Sequence, residues 1–237
     1  MATQQPDDSA LLAFFQLIVG RNDAGIHRML DAVPDLACAA IRTGASRRDP
    51  ETFFISEIRH YVYAGDTALH VSAAAHQRAV VEQLIAKGAP SRARNRRGAE
   101  PLHYAADGSP GAGFWNPDGQ RATIEYLLAH GADPNALDNS GVAALHRAVR
   151  TRSADAVQAL LDGGADVHLK NRGGSTPLHL AVQNTGRSDS GSAAAKDQQV
   201  QVIRVLLAHG AKPTDTDAKG KTVAAAATSD DIRQLLT

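Results

Sequence analysis

The sequence contains ten histidines, whose side chains can bind metal ions or transfer protons near neutral pH. Four of them follow a leucine at intervals of 33, 43 and 33 residues, as Leu69-His70, Leu102-His103, Leu145-His146 and Leu178-His179. Equivalent positions in successive units predict structural hydrogen-bonding residues rather than ligands that converge on one ion. The sequence has neither an HExxH pair nor a cysteine pair. We therefore predict no metal site and no cofactor.

Two further patterns could support catalysis, and neither is complete. The segment from Gly186 to Ser192 has the two-glycine spacing of a phosphate-binding loop, but it lacks a lysine before the serine and follows no predicted strand. A polar inserted loop is the better interpretation. Cys38 is the single cysteine, which excludes an intrachain disulfide, and buried packing is its expected role. No Ser-His-Asp or Cys-His arrangement can be assigned, so we predict no catalytic residues and no enzyme.

The leucine-histidine pairs belong to a longer repeated motif that opens on a glycine. Its four copies are Gly65-Asp66-Thr67-Ala68-Leu69-His70, Gly98-Ala99-Glu100-Pro101-Leu102-His103, Gly141-Val142-Ala143-Ala144-Leu145-His146 and Gly174-Ser175-Thr176-Pro177-Leu178-His179. The set resembles the Gly-x-Thr-Pro-Leu-His signature of ankyrin repeats. A second series in step with it resembles that family's Gly-Ala-Asp-x-Asn segment: Gly88-Ala89, Gly131-Ala132, Gly164-Ala165 and Gly210-Ala211. The resemblance implies an all-α solenoid of stacked helix-turn-helix units with short hairpin-like connections.

The same motifs set the expected boundaries. From opening to closing glycine the distance is 23 residues in the first and third copies, but 33 and 36 in the second and fourth, which therefore carry insertions of 10 and 13 residues. We predict a single domain over residues 1–237. Its parts are an N-terminal capping repeat plus an extra helix at 1–64, repeats at 65–97, 98–140, 141–173 and 174–219, and a shortened cap at 220–237.

Apolar spacing and capping residues predict two short helices in each repeat. Thr176 before Pro177 fits a helix N-cap followed by proline at the first helical position. Gly164 and Gly210 fit left-handed helix C-caps. Helices of about ten residues are marginal alone, so stacking between units must stabilise them.

The residues before Gly65 follow the motif only loosely. Ser9–Gly20 and Asp23–Ala32 are predicted to form the helix pair of the N-terminal cap. Asp49-Pro50-Glu51 then has the pattern of a helix start, and the extra helix is expected to continue through Phe53, Phe54, Ile58, Tyr61 and Val62. Packing over the end of the solenoid is the favoured role for this helix. A wall of a binding groove is the alternative.

Composition indicates one soluble cytoplasmic body. The chain has 237 residues, 25 basic and 25 acidic side chains, and 43% hydrophobic residues. Asp7-Asp8 stands where a signal peptide needs positive charge, and the apolar run from Leu11 to Val19 is too short to span a bilayer. We expect no membrane association and a monomer.

The remaining candidates are surface residues. The resemblance implies binding through hairpin tips and the exposed side of the first helix, and the insertion of the second repeat adds the only tryptophan of the sequence. The candidate partner-binding residues are Tyr63, Asp66, Arg96, Arg97, Tyr104, Asp107, Trp115, Asn139, Arg147, Arg150, Arg172, Gln183, Lys219 and Lys221. Seven of these are basic and two are acidic, which predicts a basic concave face. Acidic side chains fall instead on second helices, as at Glu82, Glu125, Asp155 and Asp162.

Two interpretations of the basic face remain open. It is either a solvated surface whose arginines contact their own neighbours, or a site for an acidic protein segment. In the second case Arg97, Arg147 and Arg150 bind carboxylates and Tyr104 is an aromatic anchor. Nucleic acid is a distant third because the net charge is zero. Phe114-Trp115 either pins the insertion onto neighbouring helices or forms an exposed hot spot.

The functional prediction is a non-enzymatic protein-protein interaction module, or adaptor. Its partner is unknown, and an acidic segment is one candidate ligand. The alternative is a regulator or enzyme of a small molecule. Its pocket would be formed by the extra N-terminal helix and the concave face.

Overall fold

The computed structural model describes residues 6–108, 115–183 and 192–237. Its described part is predominantly helical, and the only sheet found there is one two-stranded antiparallel hairpin. This confirms the predicted all-α ankyrin fold class. Among the described residues, no helix combines the length and the apolar character needed to cross a membrane.

Two compact units make up the chain. The first comprises Met1–Ala105 with Tyr126–Asp133, and the second comprises Ala106–Glu125 with Pro134–Thr237. The helices of the first unit are α1 (Asp8–Val19), α2 (Asp23–Ala32), α3 (Ala68–Ala74), α4 (Arg78–Ala86) and α5 (Pro101–Ala105). The pair α1 and α2 lies where the N-terminal capping helices were predicted. Its inner face contributes Leu11, Phe14, Phe15 and Ile18, all fully buried, to the core of this unit.

The predicted extra helix after Asp49 is wrong. A 3₁₀ turn spans only Glu51–Phe53, and the chain then forms an antiparallel hairpin of β1 (Phe54–Ile55) and β2 (His60–Tyr61). Phe54 pairs with Tyr61 across the strands, and Arg59 takes a positive φ of 53° in the connecting turn.

The sequence on both sides of the turn explains this outcome. Residues 53–55 and 60–63 are largely aromatic or β-branched, and such residues fit a half-buried pleated surface. Ile55 and Val62 are buried, whereas Phe54 and Tyr61 are exposed on the opposite face. Burial that alternates from one residue to the next is typical of a strand and not of a helix. The chain therefore does not continue as a helix after the favourable start at Pro50.

The helices that follow are α6 (Pro117–Ala129), α7 (Ala144–Arg150), α8 (Ala154–Asp162), α9 (Pro177–Ala181), α10 (Ala193–Ala208), α11 (Val223–Ala226) and α12 (Asp230–Gln234). Each of the two insertions ends in a helix. Asn116 accepts a hydrogen bond from the Gly119 N–H at 3.0 Å, and Ser192 accepts one from the Ala195 N–H at 3.2 Å. These caps begin α6 and α10 inside the inserted residues. Most of the predicted loop from Gly186 to Ser192 lies outside the described residues.

The repeated histidines are structural, as predicted. In α9 the Thr176 hydroxyl lies 2.8 Å from Nδ1 of His179, and that nitrogen accepts the Thr176 N–H at 3.2 Å. Nε2 of His179 lies 3.2 Å from the Lys221 carbonyl. Because both of its ring nitrogens are engaged, His179 joins the start of its own first helix to the chain of the next repeat. His70 and His146 make the equivalent contacts, to the carbonyls of Ala99 and Ser175.

The glycines that end the second helices also have their predicted conformation. Gly164 and Gly210 each have a φ of 90°, which is the left-handed region that favours glycine at a helix C-cap. Cys38 does not have its expected place, because its side chain is exposed rather than packed in the core.

Candidate functional site

The hairpin of the first unit displays a cluster of aromatic rings. Phe54 and Tyr61 are 42% and 39% exposed, and their ring centroids lie 4.8 Å apart. Tyr63 follows, with its ring centroid 6.4 Å from that of Tyr61. Exposed apolar side chains that form a contiguous patch can mark an interaction site, and rigid aromatic rings are common anchors of protein interfaces.

Two consecutive arginines lie against Tyr63. The guanidinium carbons of Arg96 and Arg97 are 5.5 and 4.9 Å from the centre of the Tyr63 ring, within the range of cation-π attraction. Arg97 also donates from Nη1 to the Tyr63 hydroxyl at 3.2 Å, and Arg96 donates from Nη2 to the carbonyl of Ala45. These contacts hold both guanidinium groups in fixed positions, which lowers the entropy lost when a partner binds.

A groove of about 310 Å³ lies beside this cluster; we call it the hairpin groove. Its lining consists of Ala45, Ser46, Arg47, Pro50, Tyr61, Tyr63, Arg96 and Arg97. All eight residues belong to the first unit. Three arginines and two tyrosines give the groove a strongly cationic and partly aromatic wall.

Two of these arginines form no ion pair within the described ranges. They are Arg47 and Arg97, and both side chains are exposed. Arg92 of the same unit differs because it contacts Asp133 at 3.0 Å and Glu100 at 3.7 Å. The hairpin groove therefore presents positive charge that no ion pair in the described part of the chain neutralises.

The structure places two predicted partner-binding residues in the interior, which corrects the prediction for Tyr104 and Asp66. Tyr104 is 3% exposed and Asp66 is fully buried. The Tyr104 hydroxyl donates to Asp66 at 2.9 Å, and the Asn95 amide donates to the same carboxylate at 2.8 Å. Asp66 also accepts the Tyr63 N–H at 2.7 Å. Asp66 thus holds the backbone of Tyr63 from the interior, and Tyr104 holds Asp66 in place. Tyr104 has this structural role instead of contacting a partner.

Arg147, a proposed carboxylate ligand in the second unit, already binds two carboxylates of its own chain. It donates from Nη1 to Asp107 and from Nη2 to Asp138, each at 3.0 Å, and only 16% of its side chain is exposed. Arg147 therefore fits the first interpretation of the basic face, in which arginines contact residues of their own chain. Burial alone would lower the pKa of Arg147, but Asp107 and Asp138 raise it overall.

Asp138 shows the complementary effect. Burial alone would raise the pKa of Asp138, but hydrogen bonds from the Val142 N–H, the Arg147 guanidinium and the Ser140 N–H hold it below its ordinary value. Arg150 lies one turn further along α7 and is exposed. It remains a predicted binding residue, and Arg147 and Asp107 are unsuited to that role.

The other predicted residues of the second unit are not gathered into one site. Arg172 donates to the carbonyl of Asn139, and Lys219 and Lys221 stand on an exposed turn around Asp217. Gln183 donates to the His179 carbonyl at 3.1 Å. Trp115 is half-buried and donates to Gln120 at 3.1 Å, while Phe114 lies outside the described residues. In the part of the insertion that the structure describes, this hydrogen bond joins Trp115 to α6.

Acidic side chains occupy second helices, as predicted. Glu82, Asp155 and Asp162 lie exposed on α4 and α8, and Glu125 lies exposed on α6. Among the described residues no group of three His, Cys, Asp or Glu side chains could hold a metal ion.

Sequence reasoning missed Arg47 and Tyr61, which line the hairpin groove. Two signals could have revealed them. Arg47-Arg48 is a basic pair directly before the hairpin, and the alternation of Tyr61, Val62 and Tyr63 is typical of a strand with one exposed face. The incorrect helix assignment hid the second signal because it included Tyr61 and Val62 in a helix.

Comparison with known families agrees with the repeat geometry. Residues 116–190 match the description "Ankyrin repeats (3 copies)", and residues 64–96 and 173–218 match "Ankyrin repeat". Together these matches cover more than half of the chain. The protein belongs to the ankyrin repeat family. Its repeats indicate a protein-protein interaction module, and repeats of this kind are generally not catalytic.

Several curated proteins are similar to part of this chain. "Zygote-specific protein 3" of Chlamydomonas reinhardtii is 42% identical over 73 residues, which is 31% of this chain and 16% of that protein. The human "2-5A-dependent ribonuclease" is 39% identical over 77 residues, 32% of this chain and 9% of its own. "Ankyrin repeat and LEM domain-containing protein 1 homolog" of Caenorhabditis elegans is 33% identical over 85 residues, 36% of this chain and 10% of its own. The similar segments thus span less than a fifth of each relative.

Proposed function

We propose that this ankyrin repeat protein binds an acidic segment of a partner protein at the hairpin groove. The observation that carries the proposal is the placement of Arg47, Arg96 and Arg97 beside Tyr61 and Tyr63. Arginine presents its N–H donors in a planar fork that matches a carboxylate, and charge-assisted hydrogen bonds of this kind are about twice as strong as neutral ones.

The composition of the groove supports a protein partner. Tyrosine and arginine are enriched among the few residues that carry most of the binding energy of interfaces. Tyr61 offers an exposed rigid ring, and Arg97 is held in place by Tyr63. A partner segment therefore meets side chains whose conformations are already fixed, which favours affinity from a small contact.

The contrast between Arg97 and Arg147 narrows the proposal. Arg147 has both carboxylates it needs from its own chain, whereas Arg97 has none within the described residues. An acidic partner would gain little at Arg147, because it would first have to displace Asp107 and Asp138. We therefore assign recognition to the first unit and leave Arg150, Arg172, Lys219 and Lys221 as predicted secondary contacts.

The small-molecule alternative has less support than the acidic-segment proposal. It required a pocket walled by an extra N-terminal helix, and residues 51–61 form a 3₁₀ turn and a hairpin instead. The hairpin groove is open to solvent along exposed residues such as Arg47, Pro50 and Tyr61. Among the described residues it contains no histidine or carboxylate that could serve as a catalytic base.

Affinity enrichment from a lysate of the source organism tests the proposal. Three immobilised proteins are compared: the wild type, Arg97→Glu and the control Lys219→Glu. Lys219 is the matched position, since both residues directly precede the opening glycine of a repeat and both are exposed. Quantitative mass spectrometry should find partners that Arg97→Glu loses and Lys219→Glu retains.

The contact is then mapped by crosslinking from Tyr61 replaced with a photoreactive phenylalanine derivative. We expect the crosslinked partner peptide to be acidic and its capture to weaken as salt rises. Partners that all three proteins capture equally would show that the hairpin groove is not the binding surface.

A further inference from the structure

Two of the arginines that line the hairpin groove, Arg47 and Arg97, form no ion pair within the described residues. Positive charges that line one small groove repel one another. An occupant with two negative charges on one group relieves that repulsion better than a single carboxylate does.

The size of the groove suits a single side chain of a partner. Its volume of about 310 Å³ lies at the lower end of the range for ligand sites, about 300–1,000 Å³. The walls provided by Pro50, Tyr61 and Tyr63 are flat and apolar, and such faces suit an aromatic ring.

We propose that the groove binds a phosphorylated tyrosine side chain of the partner segment. A phosphate monoester carries about −1.5 to −2 charges at pH 7 and three acceptor oxygens, which suits several guanidinium groups at once. Arg97 uses one N–H on the Tyr63 hydroxyl and has further donors for the phosphate. The ring that carries the phosphate packs against Tyr61 and Pro50. This inference rests on the proposed function and specifies its ligand.

Three small probes test the inference on the 237-residue chain without any assumption about the partner sequence. Phenyl phosphate carries both the ring and the phosphate, inorganic phosphate lacks the ring, and phenylacetate replaces the phosphate with a carboxylate. Chemical shift changes in the backbone amide spectrum report binding. We expect phenyl phosphate to bind about tenfold more tightly than either control, since ring contacts and the second charge each add to affinity.

The pH dependence of binding identifies the second charge. The affinity for phenyl phosphate should fall severalfold as pH decreases through about 6, where the phosphate loses its second charge. The affinity for phenylacetate should stay constant over the same range, because a carboxylate stays ionised there.

Matched variants locate the site. Arg97→Gln should weaken phenyl phosphate binding by about ten- to a hundredfold, the range for loss of a hydrogen bond to a charged group. Lys219→Gln is the control and should change binding less than twofold. Tyr61→Ala should reduce the affinity for phenyl phosphate to that for inorganic phosphate. Equal urea midpoints for the variants and the wild type establish that each one is folded.

Each contrary result has a defined meaning. Equal affinity for phenyl phosphate and phenylacetate would overturn the phosphate preference, and equal affinity for phenyl phosphate and inorganic phosphate would overturn the aromatic carrier. Absence of saturable shifts with all three probes would overturn the inference altogether.

A phosphatase step separates this inference from the proposed function. Lysate partners that depend on Arg97 should be lost after phosphatase treatment if phosphotyrosine is recognised. If they are still captured after treatment, the phosphotyrosine inference is wrong and the acidic-segment function stands. If no captured partner depends on Arg97 before treatment, the proposed function itself is wrong.

Discussion

Replacement of Glu100 by threonine is expected to stabilise the protein at neutral pH. Glu100 occupies the position at which Thr67 and Thr176 cap their helices, but it cannot place a hydroxyl against His103 as they do against their histidines. Its side chain is 1% exposed, and its Oε2 atom has no hydrogen-bond partner among the described residues. The nearest cation is Arg92, whose Nε lies 3.7 Å away and which also contacts Asp133.

The size of the effect follows from three contributions. A buried acceptor without a hydrogen bond costs about 1–3 kcal/mol, and a threonine N-cap contributes about 1 kcal/mol. The attraction of Glu100 to the half-exposed Arg92 offsets at most about 1 kcal/mol. Glu100→Thr should therefore raise the free energy of unfolding by about 2 kcal/mol at pH 7. For a chain of this length that corresponds to an increase in Tm of about 4–8 °C.

The pH dependence provides the sharper test. Burial raises the pKa of Glu100, and the nearby Arg92 and Arg94 only partly oppose this effect. A raised pKa means that the folded protein binds the proton more tightly than the unfolded chain does. Wild-type stability is therefore lost as pH rises from the ordinary glutamate pKa, about 4.5, through the raised value. The advantage of Glu100→Thr should be about 1 kcal/mol near pH 4, where only the capping contribution remains, and largest above pH 7.

Urea denaturation between about pH 4 and 8 measures this advantage as a difference between variant and wild type. Ala143→Thr is the matched control, because it introduces the same capping residue at the equivalent position of the next repeat without removing a charge. Its gain of about 1 kcal/mol should not change with pH. The reasoning would be refuted by a Glu100→Thr effect that is equally independent of pH, or by destabilisation at pH 7.

Four further outcomes are expected, each measured as a shift in the urea midpoint. Arg147→Ala should lower the free energy of unfolding by about 3 kcal/mol because two carboxylates lose their partner. The exposed control Arg150→Ala should change it by no more than about 0.5 kcal/mol. Equal effects of the two variants would contradict the ion-pair argument. Thr176→Ala should lower the free energy of unfolding by about 1 kcal/mol, and Thr176→Ser, which keeps the hydroxyl, should lower it much less. Equal effects of the two variants would show that the hydroxyl does not cap α9. Tyr104→Phe should cost about 1–3 kcal/mol by depriving a buried carboxylate of a donor, and an unchanged midpoint would contradict that role. Asp138 has a lowered pKa, so its contribution is present above about pH 4 and lost on acidification; Asp138→Asn should remove that part of the acid sensitivity, and identical acid profiles would count against it.

The repeat motif made most of the fold predictable. Glycine, threonine and histidine at fixed offsets encode caps and turns that depend on local backbone geometry, so α9 and the glycine C-caps follow from a few neighbouring residues. The insertions were less predictable because a capping serine or asparagine inside a polar segment is a weak signal. Ser192 begins α10 on that signal alone.

The site was predictable only in part, because long-range pairing decides which residues are available. Tyr63, Arg96 and Arg97 were found from their offset to the opening glycine. Nothing local reveals that Arg147 meets Asp107, which lies 40 residues earlier and next to an insertion. The fate of a charged residue thus depends on where the chain folds back, and a repeat register alone does not contain that information.

The histidine contacts between neighbouring repeats also bear on how fast the protein folds. His70 to Ala99 and His146 to Ser175 each join residues 29 positions apart, and His179 to Lys221 joins residues 42 apart because that repeat contains the longer insertion. The entropy of closing a loop grows only with the logarithm of its length, so this insertion adds about 0.3 kcal/mol to closure. Contacts confined to neighbouring repeats give a low contact order, which favours rapid folding and allows nucleation at more than one repeat. The extra residues can therefore vary in length and composition with little effect on the folding rate.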